Sequence, residues 1–345
     1  MYQHGGDIYS NKNVIDFSAN INFLGMPEAV RQAARAAVDA SDCYPDVNCT
    51  ELKKAIAKME QVSEEHIFCG NGAADVIFSL VAALKPKKAL VPLPSFHGYY
   101  QALSALGCPI VPYPMTEKNG YALQEDILNQ ITPAVDLLFL ANPNNPTGLL
   151  TDRSFIEKML HKCERTDTLL VVDECFMDLI AEPERYTMLP WAERSDQLFV
   201  IKAFTKTYAM PGLRLGYGIC MNGGLLERME RASQPWRVSV PAQAAGIAAC
   251  TQRDYIEKAR KEIRAEREKM IAAIRALGYS VLDSKANFVF FEGEYHLADR
   301  LKDRGFLVRD CSNFVGLHLG YYRAAVRTPQ ENAQFLAVLK EIHLG

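Results

Sequence analysis

The chain of 345 residues has no C-x-x-C spacing, no H-x-x-x-H pair and no basic stripe. It also lacks any apolar window near the roughly 18 residues that a membrane helix needs. Each absence removes a class of function. The nine cysteines, at 43, 49, 69, 108, 163, 175, 220, 250 and 311, are odd in number and scattered. That pattern argues against a disulfide framework and a zinc site and reads as reduced, mostly buried, small apolar side chains. The seven histidines form no metal-ligand pair, so no metal is expected. The 38 basic and 41 acidic residues are interspersed and leave a formal charge of -3, which points away from nucleic acid and anionic membranes and towards a small-molecule partner. No apolar signal region opens the chain, and the expected location is the cytoplasm. There is no internal repeat and no low-complexity tract.

What is present is enough apolar residue, 49%, for a large core. Glu28 to Ala40 and Glu51 to Met59 read as short amphipathic helices, with Pro27 and Thr50 at plausible starts. Continuous apolar runs bounded by Gly or Pro then recur between helical stretches: 66–69, 89–93, 109–113, 136–141, 168–173, 197–204 and 217–221. Strands without polar alternation are buried on both faces, so these runs predict a mainly parallel, helix-covered α/β sheet. Tyr255 to Leu277 reads as one long charged helix stopped by Gly278. Short strands at 279–282, 287–292, 306–309 and 321–326, with helices interspersed, predict a smaller α+β domain. The expected organisation is an N-terminal arm at 1–30, a large domain at 31–235 and a small domain at 236–345. In the arm, Ile15, Phe17, Ile21 and Phe23 alternate with polar residues, as an ordered, extended, half-buried segment does.

Ligands of open α/β sheets sit beyond the carboxyl ends of the strands, and five stretches there carry candidate chemistry. CGNGAAD (69–75) can cradle a phosphate at a helix N-terminus, or simply turn tightly. In PSFHGYY (94–100), Phe96 can stack on a planar ligand or serve as core. ANPNNPTG (141–148) is a constrained loop that fixes amide side chains, Asn145 among them. Asp173 and Glu174 end an apolar run, where a carboxylate needs a cation or donors. In FTKTYAMPGLRLGYG (204–218), Lys206 lies between apolar residues that can lower its pKa and make it an amine nucleophile, and Arg214 offers a cation for a phosphate. Together they answer the needs of pyridoxal 5'-phosphate: a carboxylate for the ring nitrogen, a stacking aromatic, a donor to the phenolate oxygen, a phosphate cradle and a lysine.

With these motifs the chain resembles the fold-type I pyridoxal-phosphate enzymes of the class I/II aminotransferase superfamily, in the histidinol-phosphate aminotransferase branch, over essentially its whole length. HGGDIY (4–9), DFSANINFLG (16–25), VRDCSNFVGL (308–317) and YYRAAVR (321–327) are more similar to the L-threonine-O-3-phosphate decarboxylases of cobalamin synthesis. The resemblance implies that Lys206 joins the cofactor aldehyde, Asp173 pairs with the pyridinium nitrogen, Asn145 donates to the phenolate oxygen and Phe96 stacks on the ring. It assigns the phosphate to Gly72, Ala73, Thr205 and Arg214, with Tyr44 of a second subunit, hence a homodimer with shared active sites. His4, Gly5, Asn20 and Asn145 would line the substrate pocket, and Arg309 and Arg323 would grip the anionic groups of an O-phospho-amino acid. Two departures stand out. Phe176 replaces a tyrosine frequent in the aminotransferases, and Ala203 replaces a phosphate-binding serine, so weaker cofactor binding is expected. The implied reaction is decarboxylation of L-threonine O-3-phosphate to (R)-1-amino-2-propanol O-2-phosphate. Alternatives are L-serine O-phosphate decarboxylation, transamination of histidinol phosphate, or a non-catalytic cofactor-binding role.

Overall fold

The computed structural model describes residues 5–344. After a short strand β1 (Ile15–Asp16) come helices α1 (Glu28–Val38) and α2 (Thr50–Glu60), and then the strands and helices of a large sheet: β2 (Ile67–Gly70), α3 (Ala73–Leu84), β3 (Ala89–Leu93), α4 (His97–Ala105), β4 (Ile110–Pro114), β5 (Leu137–Ala141), α5 (Arg153–Thr166), β6 (Leu169–Asp173), β7 (Leu198–Ala203), the single turn α6 (Phe204–Thr207) and β8 (Gly216–Ile219). The seven strands are ordered β2-β8-β7-β6-β5-β3-β4, and only β8 runs against its neighbours.

The apolar runs explain this layer. Every residue of β3, β5, β6 and β7 is buried, because successive side chains point to opposite faces and both faces are covered. Leu138, Leu140, Leu170 and Val172 feed the core on one face. Leu137, Phe139, Leu169 and Val171 feed the core on the other. Truncating one such side chain to Ala costs about 2–5 kcal/mol, which is why the sheet makes a stiff platform.

Helices α7 (Gly223–Ala232) and α8 (Val240–Ala249) follow, then the long α9 (Arg253–Ala276) and a second group of strands: β9 (Phe288–Glu292), α10 (Leu297–Asp303), β10 (Phe306–Leu307), β11 (Arg309–Asp310), β12 (Tyr321–Ala325) and α11 (Pro329–Leu344). Here β11-β12-β9 form a three-stranded antiparallel sheet. The 235–236 boundary expected from the sequence falls ahead of α8, and α8 contributes Ala242, Ala245 and Ala249 to the core under the large sheet.

Two strand expectations change in detail. The run 279–282 forms only an isolated bridge, Val281 to Phe291, flanked by single backbone bonds. The run 306–309 divides: β10 pairs in parallel with β1 of the arm, and β11 pairs with β12. The arm is therefore sheet-bound at Ile15–Asp16, and Phe17, fully buried, stacks on Phe335 at 4.6 Å.

Candidate active site

Strands β2, β3, β5, β6 and β7 end at one edge of the large sheet, and the loops beyond them converge with the arm and the three-stranded sheet on one cavity. Its volume is about 230 Å³, against the roughly 10–15 Å³ that one water requires. A small molecule fits there, whereas a second cavity of about 20 Å³ has room for one water.

Asp173 ends β6 with its side chain at the cavity. The buried Tyr99 hydroxyl donates to Asp173 Oδ2 at 2.6 Å, and the Cys175 backbone N–H donates to Oδ1 at 3.0 Å. Tyr99 is itself fixed by stacking on Phe139 at 4.6 Å. These donors hold the carboxylate in one orientation. Lys206, one turn into the helix after β7, borders the same cavity. Burial of its ammonium, then Arg323 and Arg214 nearby, push its pKa down to about 8. A lysine in that state has an appreciable neutral, nucleophilic fraction near neutral pH. Its backbone is pinned by the arm: Asn22 N–H donates to Lys206 O at 3.1 Å and Asn22 Nδ2 donates to Thr207 O at 2.9 Å.

The turn after β2 meets the requirements of a phosphate cradle. Gly72, with φ +85°, precedes α3, whose first residue, Ala73, lines the cavity. A Cβ on Gly72 would lie 2.5 Å from Arg214 Nη2, and one on Gly216 would lie 2.5 Å from Ala73 N, so both positions need glycine. Helix N–H groups, Thr205 and an arginine beside them suit a phosphate. Phe96 reaches the cavity edge-on to Tyr99, with ring centroids 5.5 Å apart. A flat ring bearing a phosphate fits between these groups.

The opposite wall comes from the small sheet. The β11–β12 register sets Arg309 directly opposite Arg323, and both side chains border the cavity, 6% and 7% exposed. Two guanidinium groups facing each other across a strand pair concentrate positive charge on one wall of the cavity, which suits an anionic ligand. Arg309 Nη2 donates to Asn313 Oδ1 at 2.7 Å. Arg323 Nη1 donates to Asn145 Oδ1, and Nη2 donates to Ser18 O at 2.8 Å. Phe288 lies under its guanidinium at 5.3 Å, and Phe176 packs edge-on to Phe288 at 5.2 Å. Where a tyrosine would present a hydroxyl, Phe176 supports an arginine platform. Gly5 follows the same wall, since a Cβ there would come within 2.4 Å of Ser18 O. Asn20 is 2% exposed, and its Oδ1 has no hydrogen-bond partner among the described residues. It borders the cavity as an acceptor for a ligand donor.

Among the described residues that line the cavity, Lys206, Arg214, Arg309 and Arg323 carry positive charge and Asp173 the carboxylate. Tyr44, which the resemblance assigns to the phosphate of a second subunit, does not line the cavity of its own chain. Tyr44 is 79% exposed and stacks on Trp236 at 4.5 Å, away from the lining. His4 lies outside the described residues. Sequence reasoning missed Tyr99, Ser18 and Asn22. Tyr99 had a usable signal, one helical turn after Phe96, whereas Ser18 acts through its backbone carbonyl and carries no residue-type signature.

The fold is the α/β fold of fold-type I pyridoxal-phosphate-dependent transferases, and the chain belongs to the aminotransferase class I and II family, which it matches over residues 12–339. It is 35% identical to a threonine-phosphate decarboxylase of Salmonella typhimurium, over 99% of this chain and 97% of that one. An adenosylcobalamin biosynthesis bifunctional protein of Leptospira interrogans is 30% identical over 99% of this chain and 41% of its own length. The solved histidinol-phosphate aminotransferase of Clostridium acetobutylicum superposes with a TM-score of 0.89 at 28% identity, covering 95% of this chain and 98% of that one.

Proposed function

We propose that this protein is a pyridoxal 5'-phosphate-dependent decarboxylase of an O-phospho-amino acid, acting on L-threonine O-3-phosphate to give (R)-1-amino-2-propanol O-2-phosphate for cobalamin biosynthesis. The observation that carries this reading is the cross-strand pair Arg309 and Arg323, two cations held 6% and 7% exposed against a cavity that already contains a phosphate cradle on its other side. A ligand with a carboxylate and a phosphate of its own presents two anionic groups that suit this pair of guanidinium groups. The relatives named for threonine phosphate and adenosylcobalamin support the same substrate and pathway.

In this reading Gly72, Ala73, Thr205 and Arg214 bind the cofactor phosphate, Phe96 covers the ring, Asn145 reaches its phenolate oxygen and Asp173 holds a proton on its ring nitrogen. Pyridoxal phosphate supplies the electron sink for the pair left behind as carbon dioxide departs. Lys206, whose pKa is pushed down to about 8 and whose neutral fraction is therefore appreciable, would hold the cofactor through its aldehyde and would carry a proton to the substrate α-carbon when its amine is free. Arg309 and Arg323 would fix the two anionic ends of the substrate and so set which bond at its α-carbon breaks, the one to the carboxylate. Asn20 and the arm at Gly5 border the pocket, and the resemblance assigns His4 to the same pocket.

The exposed Tyr44–Trp236 stack supports a homodimer in which Tyr44 reaches the cradle of the second subunit. Sedimentation at micromolar concentration tests that part, and a monomeric mass overturns it. The reaction is tested by incubating the cofactor-loaded protein with L-threonine O-3-phosphate, without any 2-oxo acid, and measuring carbon dioxide and the amino-propanol phosphate. Catalytic release of both supports the proposal. Conversion to the pyridoxamine form without carbon dioxide overturns it in favour of transamination, and preference for L-serine O-phosphate revises the substrate.

A further inference from the structure

Ser18 joins the glycine arm to the arginine wall. It follows β1, is 2% exposed and borders the cavity. At the cavity it works through its carbonyl, but its side chain has a second task. The Ser18 Oγ–H donates to Asp16 Oδ1 at 2.6 Å, and its backbone N–H donates to the same oxygen at 2.8 Å. A carboxylate accepts and does not donate, so the hydroxyl proton is committed and the Oγ lone pairs remain for another donor. Gly6 N–H is that donor, at 2.7 Å. Farther along the arm the bonds stay local: Ile8 N–H donates to Gly6 O at 3.0 Å, Ser10 N–H to Asp7 Oδ1 at 3.0 Å and Asn11 Nδ2 to Asp7 O at 2.7 Å. Among the described residues, the Gly6–Ser18 bond is therefore the hydrogen bond that ties residues 5–11 to the body of the protein. On its other side, Ser18 O accepts from Arg323 Nη2 at 2.8 Å, while Asn145 Oδ1, in the loop after β5, accepts from Nη1. The arm packs on that same carbonyl, with no space for a side chain at Gly5.

We propose that Ser18 is a positioning residue, a latch through which the seating of Gly5 and Gly6 and the binding of an anion at Arg323 strengthen each other. The inference rests on the reading that Arg323 grips an anionic group of the substrate. With the arm seated, the Ser18 carbonyl is held in place, and the carbonyl in turn fixes the plane of the guanidinium that the anion meets. An arginine already held in its binding geometry loses less freedom when the ligand arrives. The coupling is reciprocal: whatever factor the seated arm adds to anion affinity, the bound anion adds to arm seating.

Ser18→Ala keeps the carbonyl and removes the latch. In the cofactor-loaded enzyme it is expected to raise KM for L-threonine O-3-phosphate roughly three- to tenfold while kcat stays within about twofold of wild type. Hydrogen exchange gives a second readout, with 3-phosphonopropionate as the probe, because it carries two anionic groups and no amine to react. The probe is expected to slow exchange of the arm segment containing Gly6 in the wild type and to leave it unchanged in Ser18→Ala. Ser18→Cys, whose sulfur accepts weakly, falls between the two. Arg323→Lys separates the two readings. If it raises KM while Ser18→Ala leaves KM and exchange at wild-type values, the latch is overturned and the anion site stands. If Arg323→Lys also leaves KM unchanged, the proposed function falls with it. Loss of exchange protection throughout the fold in Ser18→Ala makes the residue structural and likewise overturns the latch.

Discussion

Lys202 and Lys206 flank the junction of β7 and α6, both set into protein, yet their surroundings assign them opposite work. Lys202 Nζ lies 2.8 Å from Glu60 Oε1 and 2.8 Å from Asp178 Oδ1. Burial alone would lower its pKa, but Asp178, Glu60 and Glu174 overcome that and raise it. Around Lys206 the strongest nearby charges are arginines, which add to the effect of burial. The same contrast separates Asp173 and Glu174, adjacent residues that leave β6 on opposite sides. Asp173 faces the cavity, whereas Glu174 accepts from Thr187 Oγ1 and Met188 N, each at 2.6 Å, and burial pushes its pKa up to about 7. Behind the sheet Lys202 is neutralised by carboxylates that hold the strands; in front, Lys206, Arg214, Arg309 and Arg323 gather positive charge around the cavity.

That contrast can be broken experimentally. Lys206→Ala is expected to reduce decarboxylation on the order of a thousandfold or more while the melting temperature stays within a few degrees of wild type, read by product assay and calorimetry. Lys202→Met strands Glu60 and Asp178 without their cation, and a loss of about 3–5 kcal/mol in urea unfolding is expected. A loss below about 1 kcal/mol would mean that the rear network is not a structural element. Arg323→Lys keeps a charge but loses the planar fork, so kcat/KM for the phospho-amino acid should fall about tenfold or more, equivalent to roughly 1.5–3 kcal/mol, with little change in unfolding. The mildest test needs no variant. Acylation of the cofactor-free protein, mapped by mass spectrometry, should label Lys206 with a rate that rises through about pH 8, because its deprotonated fraction grows there. Lys202, held protonated, should remain unlabelled, and equal labelling of the two would erase the distinction.

Much of this arrangement is legible in sequence because it lies at strand ends. Asp173 ends an apolar run and Lys206 follows another by two residues, runs whose character already predicts a sheet covered on both faces, and Gly72 opens a helix in a motif that can cradle a phosphate. Phe176 was legible only as a lost hydroxyl; its contact with Phe288 beneath Arg323 depends on the small sheet. Tyr44 and Trp236, far apart in sequence, meet through α1 and α8 packing that no local pattern encodes. The division of 306–309 into two strands has the same origin, since the arm supplies a partner to one half and β12 to the other.

By itself, the sequence determined the strand periodicity, the helix starts and the residue types that a phosphorylated ring and a lysine require, because these depend on neighbours along the chain. Only the tertiary structure decided which of two nearby lysines is ion-paired to carboxylates, that Arg309 stands across from Arg323, and that Tyr99 orients Asp173. Charge state and register depend on distances across the fold, where burial makes each missing or added partner count for far more than it would in water.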